Sequence, residues 1–215
     1  MKRIAWFSAF LLAAVWLQVF PVSAQPSQDS RASELVAALA AAFRTMPGYE
    51  VAFEVAAGEQ RVAGSYAVEG ENYHLVLNRA EAGAYAEVYA DGAARYEIDH
   101  VRREVTINPL DGAGRNILGD PVHAFDFLDS DYTPASVSER DGMAIVTLKP
   151  VAGSAAPAGD ITLTLATEGL LPRSILYDFD GETIEVRILR IGASDRAFEP
   201  FDRAAYAAYE WIDFR

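Results

Sequence analysis

The chain of 215 residues contains no cysteine, and its 31 acidic residues outnumber the 18 basic ones, which gives a formal net charge of −13 at pH 7. Without cysteine the chain forms no disulfide bond and has no thiolate for catalysis or metal binding. The acidic excess argues against nucleic acid or an anionic membrane surface as a partner, because both carry charge of the same sign.

Residues 1–24 have the pattern of a secretory signal peptide. Two basic residues open the chain, an apolar run follows over residues 4–20, and the small-residue pattern Val-Ser-Ala ends at Ala24. The run is shorter than the roughly 20 residues of a membrane span, which disfavours the alternative of an uncleaved anchor. We predict cleavage after Ala24, export to the periplasm, and a mature single domain of residues 25–215 that is not itself lipidated, since no cysteine follows the cleavage site.

The first helical signal follows this leader. Apolar residues recur at helical spacing over residues 33–46, Ser30 or Ser33 is placed to cap the helix, and a Pro-Gly pair ends it. The apolar stripe consists of Leu35, Leu39, Ala42, Phe43 and Met46. This pattern predicts an amphipathic helix that covers an apolar surface.

From Tyr49 onward the apolar period changes to two, which is typical of half-buried strands. Strands are predicted at residues 49–55, 61–68, 73–77, 84–90, 93–99, 103–108, 132–140, 143–149, 160–167, 173–179 and 182–191. Turn signals separate many of them, among them three Asp-Gly pairs, the dipeptide that favours tight hairpins. Consecutive hairpins predict an antiparallel meander that curls into a barrel or splits into a sandwich.

A short second helix is predicted within the strand series, in the segment "DPVHAFDFLD". Asp120 is placed to cap it, Pro121 takes the first helical position, and Phe125 and Leu128 fall on one side. The two helices together can cover the opening of a curled sheet. We therefore predict a mainly β fold, an unclosed antiparallel β-barrel with an N-terminal helix and a short inserted helix that form a lid.

No residue pattern indicates catalysis. The three histidines lie far apart in the sequence, and there is no phosphate loop, dinucleotide fingerprint or nucleophile elbow. The carboxylates, a glycosidase's usual catalytic groups, fall mostly at turns or on the polar faces of strands. We expect a protein that is not an enzyme and that needs no cofactor or metal.

A container for an apolar molecule suits the pattern better than a reaction centre. An acyl chain gains about 0.8 kcal/mol for each methylene that leaves water, so a curled sheet lined by alternating apolar residues would hold one tightly.

Several segments occur in an order that resembles a known family. They are "MPGYEVAFEV", "GSYAVEGENYHLVL", "YADGAARYEIDHVRREVTINPLD", "DPVHAF", "IVTLKP", "LPRSILYDFDGETIEVRI" and "FEPFDRAAYAAYEWIDFR". Together they resemble the periplasmic outer-membrane lipoprotein carrier family (LolA), especially a divergent branch, over nearly the whole mature chain. The resemblance implies a monomeric carrier that takes acylated lipoproteins from an inner-membrane ABC-type release complex and passes them to an outer-membrane acceptor without a chemical step.

The resemblance and the alternation together predict the residues of a lipid cavity and its lid. These are Leu39, Phe43, Met46, Phe53, Tyr66, Leu75, Leu77, Tyr96, Ile98, Val105, Ile107, Phe125, Leu128, Ile175, Tyr177, Ile184, Val186 and Ile188. The apolar face of the segment at residues 89–109 is expected to lie beneath the N-terminal helix and bound lipid.

One position departs from the family. The best-known carriers have an arginine that latches the lid, whereas Glu69 stands at about that position here. We hypothesise that the lid is held instead by packing of Phe43, Met46 and Phe125.

Two other functions remain open from the sequence. The chain could be a module that senses or binds lipid or lipoprotein on the same fold. It could also bind surface glycolipids through Tyr206, Tyr209 and Trp211, if these aromatic side chains are exposed.

Overall fold

The computed structural model describes residues 28–79, 83–110, 119–127, 131–154, 156, 159–179, 181–194 and 198–215. The predicted signal peptide lies outside these ranges. The described elements are α1 Gln28–Arg44, β1 Gly48–Ala57, β2 Gln60–Glu69, β3 Asn72–Arg79, β4 Gly83–Ala90, β5 Arg95–Asp99, β6 Glu104–Asn108, β7 Tyr132–Arg140, β8 Met143–Pro150, β9 Ile161–Ala166, β10 Leu171–Phe179, β11 Glu182–Ala193 and β12 Glu210–Asp213, with 3₁₀ turns at Pro121–His123 and Arg203–Tyr206.

All twelve described strands form one sheet that does not close. Their order is β12-β6-β5-β4-β3-β2-β1-β11-β10-β9-β8-β7, so β12 and β7 are its two edges. Neighbouring strands are antiparallel, except that β12 runs parallel to β6. The predicted mainly β fold, an unclosed antiparallel sheet with an N-terminal helix, is confirmed. The bounds of β1 to β11 agree closely with those predicted, whereas β12 is not among the predicted strands.

The hairpin between β7 and β8 shows how the sequence sets the strand register. Asp141 and Gly142 both have positive φ, 51° and 75°. Two positive φ values in succession are those of a type I′ turn, whose twist matches that of the flanking strands. Arg140 and Met143 therefore face each other as the closing pair, as the Asp-Gly signal predicts.

The helix α1 begins earlier than the sequence suggests. It starts at Gln28, before both serines that were expected to cap it, and the Ser33 hydroxyl donates to the Asp29 carbonyl within the helix. The expected caps are therefore wrong. One face of α1 is buried on the sheet, through Ala32, Leu35, Val36, Leu39, Ala40 and Phe43. Within the described ranges, no helix has both the length and the hydropathy that crossing a membrane requires.

The inserted helix is much shorter than predicted. It is one 3₁₀ turn at Pro121–His123, and the Asp120 side chain makes no capping hydrogen bond. Phe125 lies beyond the turn but is buried in the core, while Leu128 lies outside the described residues. The turn contacts β2 and β3, so the segment still lies over the sheet as the lid prediction requires.

The sheet carries apolar clusters on both faces. Because strand residues alternate between faces, Leu75 and Val88 point to one face of β3 and β4, while His74 and Tyr89 point to the other. The cluster beneath α1, which we call the inner cluster, draws on β1 to β4, on β7 to β11 and on Phe125. The outer cluster lies on the opposite face of β4, β5 and β6.

The C-terminal segment, residues 198–215, covers the outer cluster. Ile98 and Val105 of the sheet pack there with Tyr206, and the partly buried members of the cluster surround them. These members are Tyr89, Tyr96, Phe201, Tyr209 and Trp211. The Phe201 ring stacks on Tyr96 with 4.1 Å between ring centroids. The expectation that α1 and lipid cover this face is therefore wrong.

A polar network lies beside the outer cluster. The Glu87 carboxylate accepts hydrogen bonds from Nε2 of His74 and Nε2 of His100, each at 2.7 Å. Nδ1 of His100 lies 2.9 Å from the Tyr209 hydroxyl, which links the network to the C-terminal segment. Burial raises the pKa of Glu87, but the hydrogen bonds and the charges of His74 and His100 together outweigh that effect and leave its pKa below the usual value.

We predict that Gly64→Ala destabilises the fold by about 1–3 kcal/mol, because the strand leaves no room for a methyl group there. A Cβ at Gly64 would lie 2.6 Å from Cε2 of Phe53 and 3.1 Å from Cδ2 of Leu77. Urea denaturation measures the free energy of unfolding.

The matched control is Gly192→Ala, because a Cβ at this other strand glycine meets no atom within 4 Å. We expect its effect to stay within about 0.5 kcal/mol. Replacing the Phe53 ring with the smaller leucine side chain, Phe53→Leu, should recover part of the stability that Gly64→Ala loses, since the two residues are in contact. Equal stability of the two glycine variants would contradict the predicted clash.

We predict that Glu87→Gln lowers the free energy of unfolding at pH 7 by about 1–2 kcal/mol, because it removes the charge that two histidines contact. A carboxyl whose folded pKa lies below its unfolded pKa stabilises the protein above the unfolded value, and this stability is lost as the pH falls through the folded value. The difference between the wild type and Glu87→Gln should therefore shrink below about pH 4.5.

Urea denaturation at pH 7 and at pH 3 measures this difference. Glu59→Gln, at an exposed turn, is the control and should leave stability unchanged at both values. A loss in Glu87→Gln that is equally large at pH 3 would show that packing, and not the charge, is responsible.

Candidate lipid-binding site

The structure brings most of the predicted cavity residues together in the inner cluster. Twelve of them lie there, with Met46 and Leu77 at its partly buried margin. They are Leu39, Phe43, Met46, Phe53, Tyr66, Leu75, Leu77, Phe125, Ile175, Tyr177, Val186 and Ile188. Ile184 pairs with Tyr177 across β10 and β11, so it shares their inner face and is partly buried there.

Four predicted cavity residues lie on the wrong face. Tyr96, Ile98 and Val105 belong to the outer cluster, and Ile107 shares that face because it pairs with Tyr96. Alternation shows which residues of a strand lie together but not which face points inward. Both faces of β4 carry buried apolar or aromatic side chains, such as Val88 and Tyr89. The sequence therefore does not reveal which strands are covered by α1 and which by the C-terminal segment.

The inner cluster is filled by α1 in this structure. Leu39 is fully buried, and the Phe43 ring lies 4.2 Å from the Phe125 ring and 5.1 Å from the Tyr49 ring, measured between centroids. The helix therefore occupies the concave side of the sheet where a ligand would lie. An acyl chain can reach the residues that α1 buries, such as Leu39, only if α1 moves.

An opening of about 240 Å³ lies at the C-terminal end of α1. Its walls come from the end of α1, the start of β1, the turn between β2 and β3, and the 3₁₀ turn. The lining residues are Phe43, Arg44, Met46, Tyr49, Val68, Gly70, Glu71, Val122, His123 and Asp126. The floor is thus apolar and aromatic, while charged and ionisable groups stand at the rim.

An arginine does fasten the lid, but from the helix. Nη2 of Arg44 lies 2.8 Å from Oδ2 of Asp126, which joins the end of α1 to the segment after the 3₁₀ turn. Sequence analysis missed this pair because 82 residues separate its members. The only signal is the position of Arg44 in the last turn of the helix, one residue after the Phe43 that contacts Phe125.

Glu69, at the position of the family's latch arginine, has a different contact. Its carboxylate accepts a hydrogen bond from the backbone N–H of Phe198 at 2.6 Å. It therefore holds the start of the C-terminal segment and not α1. The hypothesis of lid packing through Phe43 and Phe125 agrees with their ring contact, and the Arg44 ion pair adds a polar contact to it.

Tyrosine hydroxyls lie inside the apolar cluster. The Tyr49 hydroxyl donates to the carbonyl of Pro121 at 3.1 Å, whereas the Tyr66 hydroxyl has no hydrogen-bond partner among the described residues. Burial raises the pKa of Tyr66 well above its usual value, and Tyr49 and Tyr177 raise it further. Tyr66 therefore keeps its proton and presents a donor to any acceptor that enters.

The histidines are less isolated than the sequence suggests. His74 and His100 meet at Glu87, and Nδ1 of His123 lies 2.9 Å from Oδ2 of Asp120. Within the part of the chain that the structure describes, no three His, Cys, Asp or Glu side chains form a group suited to a metal ion. Their contacts tie structural elements together.

The aromatic residues considered for glycolipid binding are not exposed platforms. Tyr206 is 9% exposed, and the indole N–H of Trp211 donates to its carbonyl at 3.2 Å. Tyr209 packs edge-on against Tyr206 with 5.4 Å between ring centroids. These side chains cover the outer face of the sheet, so the condition for the glycolipid alternative is not met.

Comparison with known proteins gives likenesses of structure. No family model matches the sequence, and no curated protein matches it. An uncharacterized conserved protein from Thermus thermophilus has a TM-score of 0.55 at 5% identity, over 84% of this chain and 98% of that one. At this identity, the likeness is one of fold.

Two further solved structures are similar at lower scores. A LolA superfamily protein from Nitrosomonas europaea has a TM-score of 0.41 at 11% identity, over 77% of this chain and 94% of that one. The MucA/MucB complex of Pseudomonas aeruginosa gives 0.45 at 16% identity, over 79% of this chain and 59% of that one. Both are likenesses of structure at low sequence identity.

Proposed function

We propose that the protein is a periplasmic carrier that binds the acyl chains of lipoproteins beneath α1. The observation that carries this proposal is an apolar face of the sheet that one separate helix covers, with an opening beside the end of that helix. Nothing in this arrangement calls for a chemical step, because the work of such a site is to shield apolar surface from water.

Exchange of helix for lipid makes binding energetically possible. Transfer of an acyl chain of about 14 methylenes from water to an apolar site is favourable by roughly 11 kcal/mol of free energy, at about 0.8 kcal/mol for each methylene. The apolar face of α1, which includes Leu35 and Leu39, loses part of its burial when it swings away. Because the two terms have opposite signs, the cost of exposing α1 offsets part of the gain from burying the acyl chain and lowers the net affinity, which favours release by a carrier.

The Tyr66 hydroxyl supports an acyl ligand in particular. A buried hydroxyl without a partner costs about 1–3 kcal/mol. The ester or amide carbonyl that joins an acyl chain to a lipoprotein is an acceptor, and it would satisfy this donor once inside. The unpaired Tyr66 hydroxyl thus destabilises the closed state, and such a ligand would remove this cost by accepting its hydrogen bond.

The lid would open at its C-terminal end. Arg44 and Asp126 are 64% and 22% exposed at their side chains, and a partly exposed ion pair of this kind contributes only up to about 1 kcal/mol. The pair is therefore weak enough to break whenever the helix moves. At the other end, α1 packs against β7, where Nε of Arg31 lies 2.8 Å from Oε1 of Glu139, and this contact between the two elements would act as the pivot.

Export, monomeric state and handover complete the proposal. Loading would take place at an inner-membrane ABC-type release complex and delivery at an outer-membrane acceptor, as the resemblance to the carrier family implies. The low affinity that acidic proteins have for anionic membranes agrees with a protein that leaves the membrane with its cargo.

The test of this function uses spheroplasts that display newly made lipoproteins. We expect residues 25–215 to release acylated lipoprotein into the soluble fraction in a 1:1 complex, measured by mass spectrometry. Arg44→Cys with Asp126→Cys, joined by a disulfide-containing bis-maleimide, provides a locked lid in a chain without native cysteine. The locked form should release nothing, and reduction of the linker should restore release.

The same double-cysteine variant, capped with a monofunctional maleimide, controls for loss of the ion pair. Equal release by locked and reduced forms would rule out passage beneath α1. Free lipid alone, or no bound molecule with the unlocked protein, would contradict the carrier function and favour a sensing or binding module.

We predict that Arg44→Gln increases the release rate of a fluorescent diacylated lipopeptide about twofold to fivefold, because it removes up to about 1 kcal/mol of lid closure. Stopped-flow transfer to vesicles measures this rate. Arg31→Gln is the matched control, since it removes an ion pair of equal length from the other end of α1. Equal acceleration by both variants would show that α1 loosens as a whole and that Arg44 has no special role at the opening.

A further inference from the structure

The sheet splits between β10 and β11. Their pairing runs from Phe179 and Glu182 to Ser174 and Arg187, and no pair continues it among the remaining described residues of the two strands. Beyond this point, β10 stays paired with β9 through Leu171 and Pro172. Over the same stretch, β11 stays paired with β1 from Ile188 to Ala193.

A bulge on each side explains the split. The register shifts between Pro172 and Ser174 in β10, which leaves Arg173 as the extra residue. It shifts again where β11 pairs with β1, where Leu189 is the extra residue. A bulge bends its strand and increases the local twist. Two bulges at the same level therefore turn the two strands away from each other.

The split contains a groove of about 180 Å³. Its lining is Leu171, Pro172, Arg173, Ile188, Leu189, Arg190 and Ile191. Ile188 and Pro172 are buried, and Ile188 belongs to the inner cluster. The groove thus leads from the outer surface to the wall of the core. It shares no lining residue with the opening beside α1.

The rim of the groove is both apolar and basic. Leu189 is 63% exposed and Leu171 is 40% exposed, which is unusual for leucines on paired strands. Arg173 is exposed beside them, and the Arg190 side chain is 73% exposed, with its guanidinium 3.7 Å from Glu50. The chain as a whole has a net charge of −13, so a site with two arginines beside exposed leucines differs in charge from most of the surface.

We propose that this split binds a single-chain anionic amphiphile of the fatty-acid type. The part of the alkyl tail next to the head group lies between β10 and β11 on Ile188 and Pro172, since a groove of about 180 Å³ holds only part of a long tail. The carboxylate contacts Arg173 and Arg190, and the rest of the tail lies along the exposed Leu171 and Leu189. An alkyl chain suits the site because the unpaired stretch is only about three residues long on each strand. A peptide strand would gain few backbone hydrogen bonds there, whereas an alkyl tail needs none.

This site is independent of the lid and of the proposed carrier function. A fatty acid in the split would lie outside α1 and could bind while the lid is closed. The protein would then take a free fatty acid and a lipoprotein at different places. The experiment below therefore uses the position of the ligand as its readout.

The test places one fluorophore at the split. Leu189→Cys, labelled with bimane, reports on the groove, and labelled Ile145→Cys, a 45% exposed position on β8, is the control. The quencher is doxyl-labelled stearate below its micelle concentration. We expect saturable quenching at position 189, reversed by unlabelled palmitate, and only weak, linear quenching at position 145.

The arginines are tested in the labelled protein. Arg173→Gln with Arg190→Gln should weaken stearate binding about tenfold or more, because the carboxylate loses both of its charged partners, and should leave binding of the methyl ester unaffected. Arg102→Gln with Arg140→Gln removes the same charge from exposed sites elsewhere and should change neither. Equal quenching at positions 189 and 145 would overturn the proposal. So would quenching confined to a fluorophore at Arg44→Cys, which would leave the carrier function standing.

Discussion

A sheet that carries apolar residues on both faces and does not close needs a cover on each face, and the rest of this structure depends on how the two covers are supplied. The inner cluster lies beneath α1 and the outer cluster beneath the C-terminal segment. Both clusters include residues of β4, because Val88 points toward the inner cluster and Tyr89 toward the outer cluster. One end of the chain therefore protects the core, and the other end protects the back of the sheet.

The two covers differ in how firmly they are held. The C-terminal segment adds a parallel strand to β6, stacks aromatic rings on the sheet and joins the Glu87 network through Tyr209. The helix α1 adds no strand, and its polar ties to the rest of the protein are ion pairs such as those of Arg31 and Arg44. Because no backbone pairing joins α1 to the sheet, α1 can leave the sheet without breaking a strand ladder, and it is therefore the cover better suited to move.

The sequence predicts the local structure well and the long-range structure less well. Strand bounds and hairpins follow from alternation and turn residues, as at Asp141 and Gly142, because these signals act within a few residues. That Phe53 and Tyr66 each lie on the apolar face of their strand follows in the same way. The outer position of Tyr96 and Ile98 does not, since the cover that buries them comes from residues 198–215. The Arg44 contact with Asp126 is equally non-local.

The bulges have consequences that alternation cannot show. A regular pairing of β10 with β11 would place Arg173 and Leu189 in the ladder and seal the wall of the core. The extra residues instead expose both side chains and leave a groove above Ile188. A bulge costs pairing and is retained where it re-aims a side chain. In the described part of the chain, the unclosed sheet thus has two approaches to its apolar interior, one beside the C-terminal end of α1 and one at the split between β10 and β11.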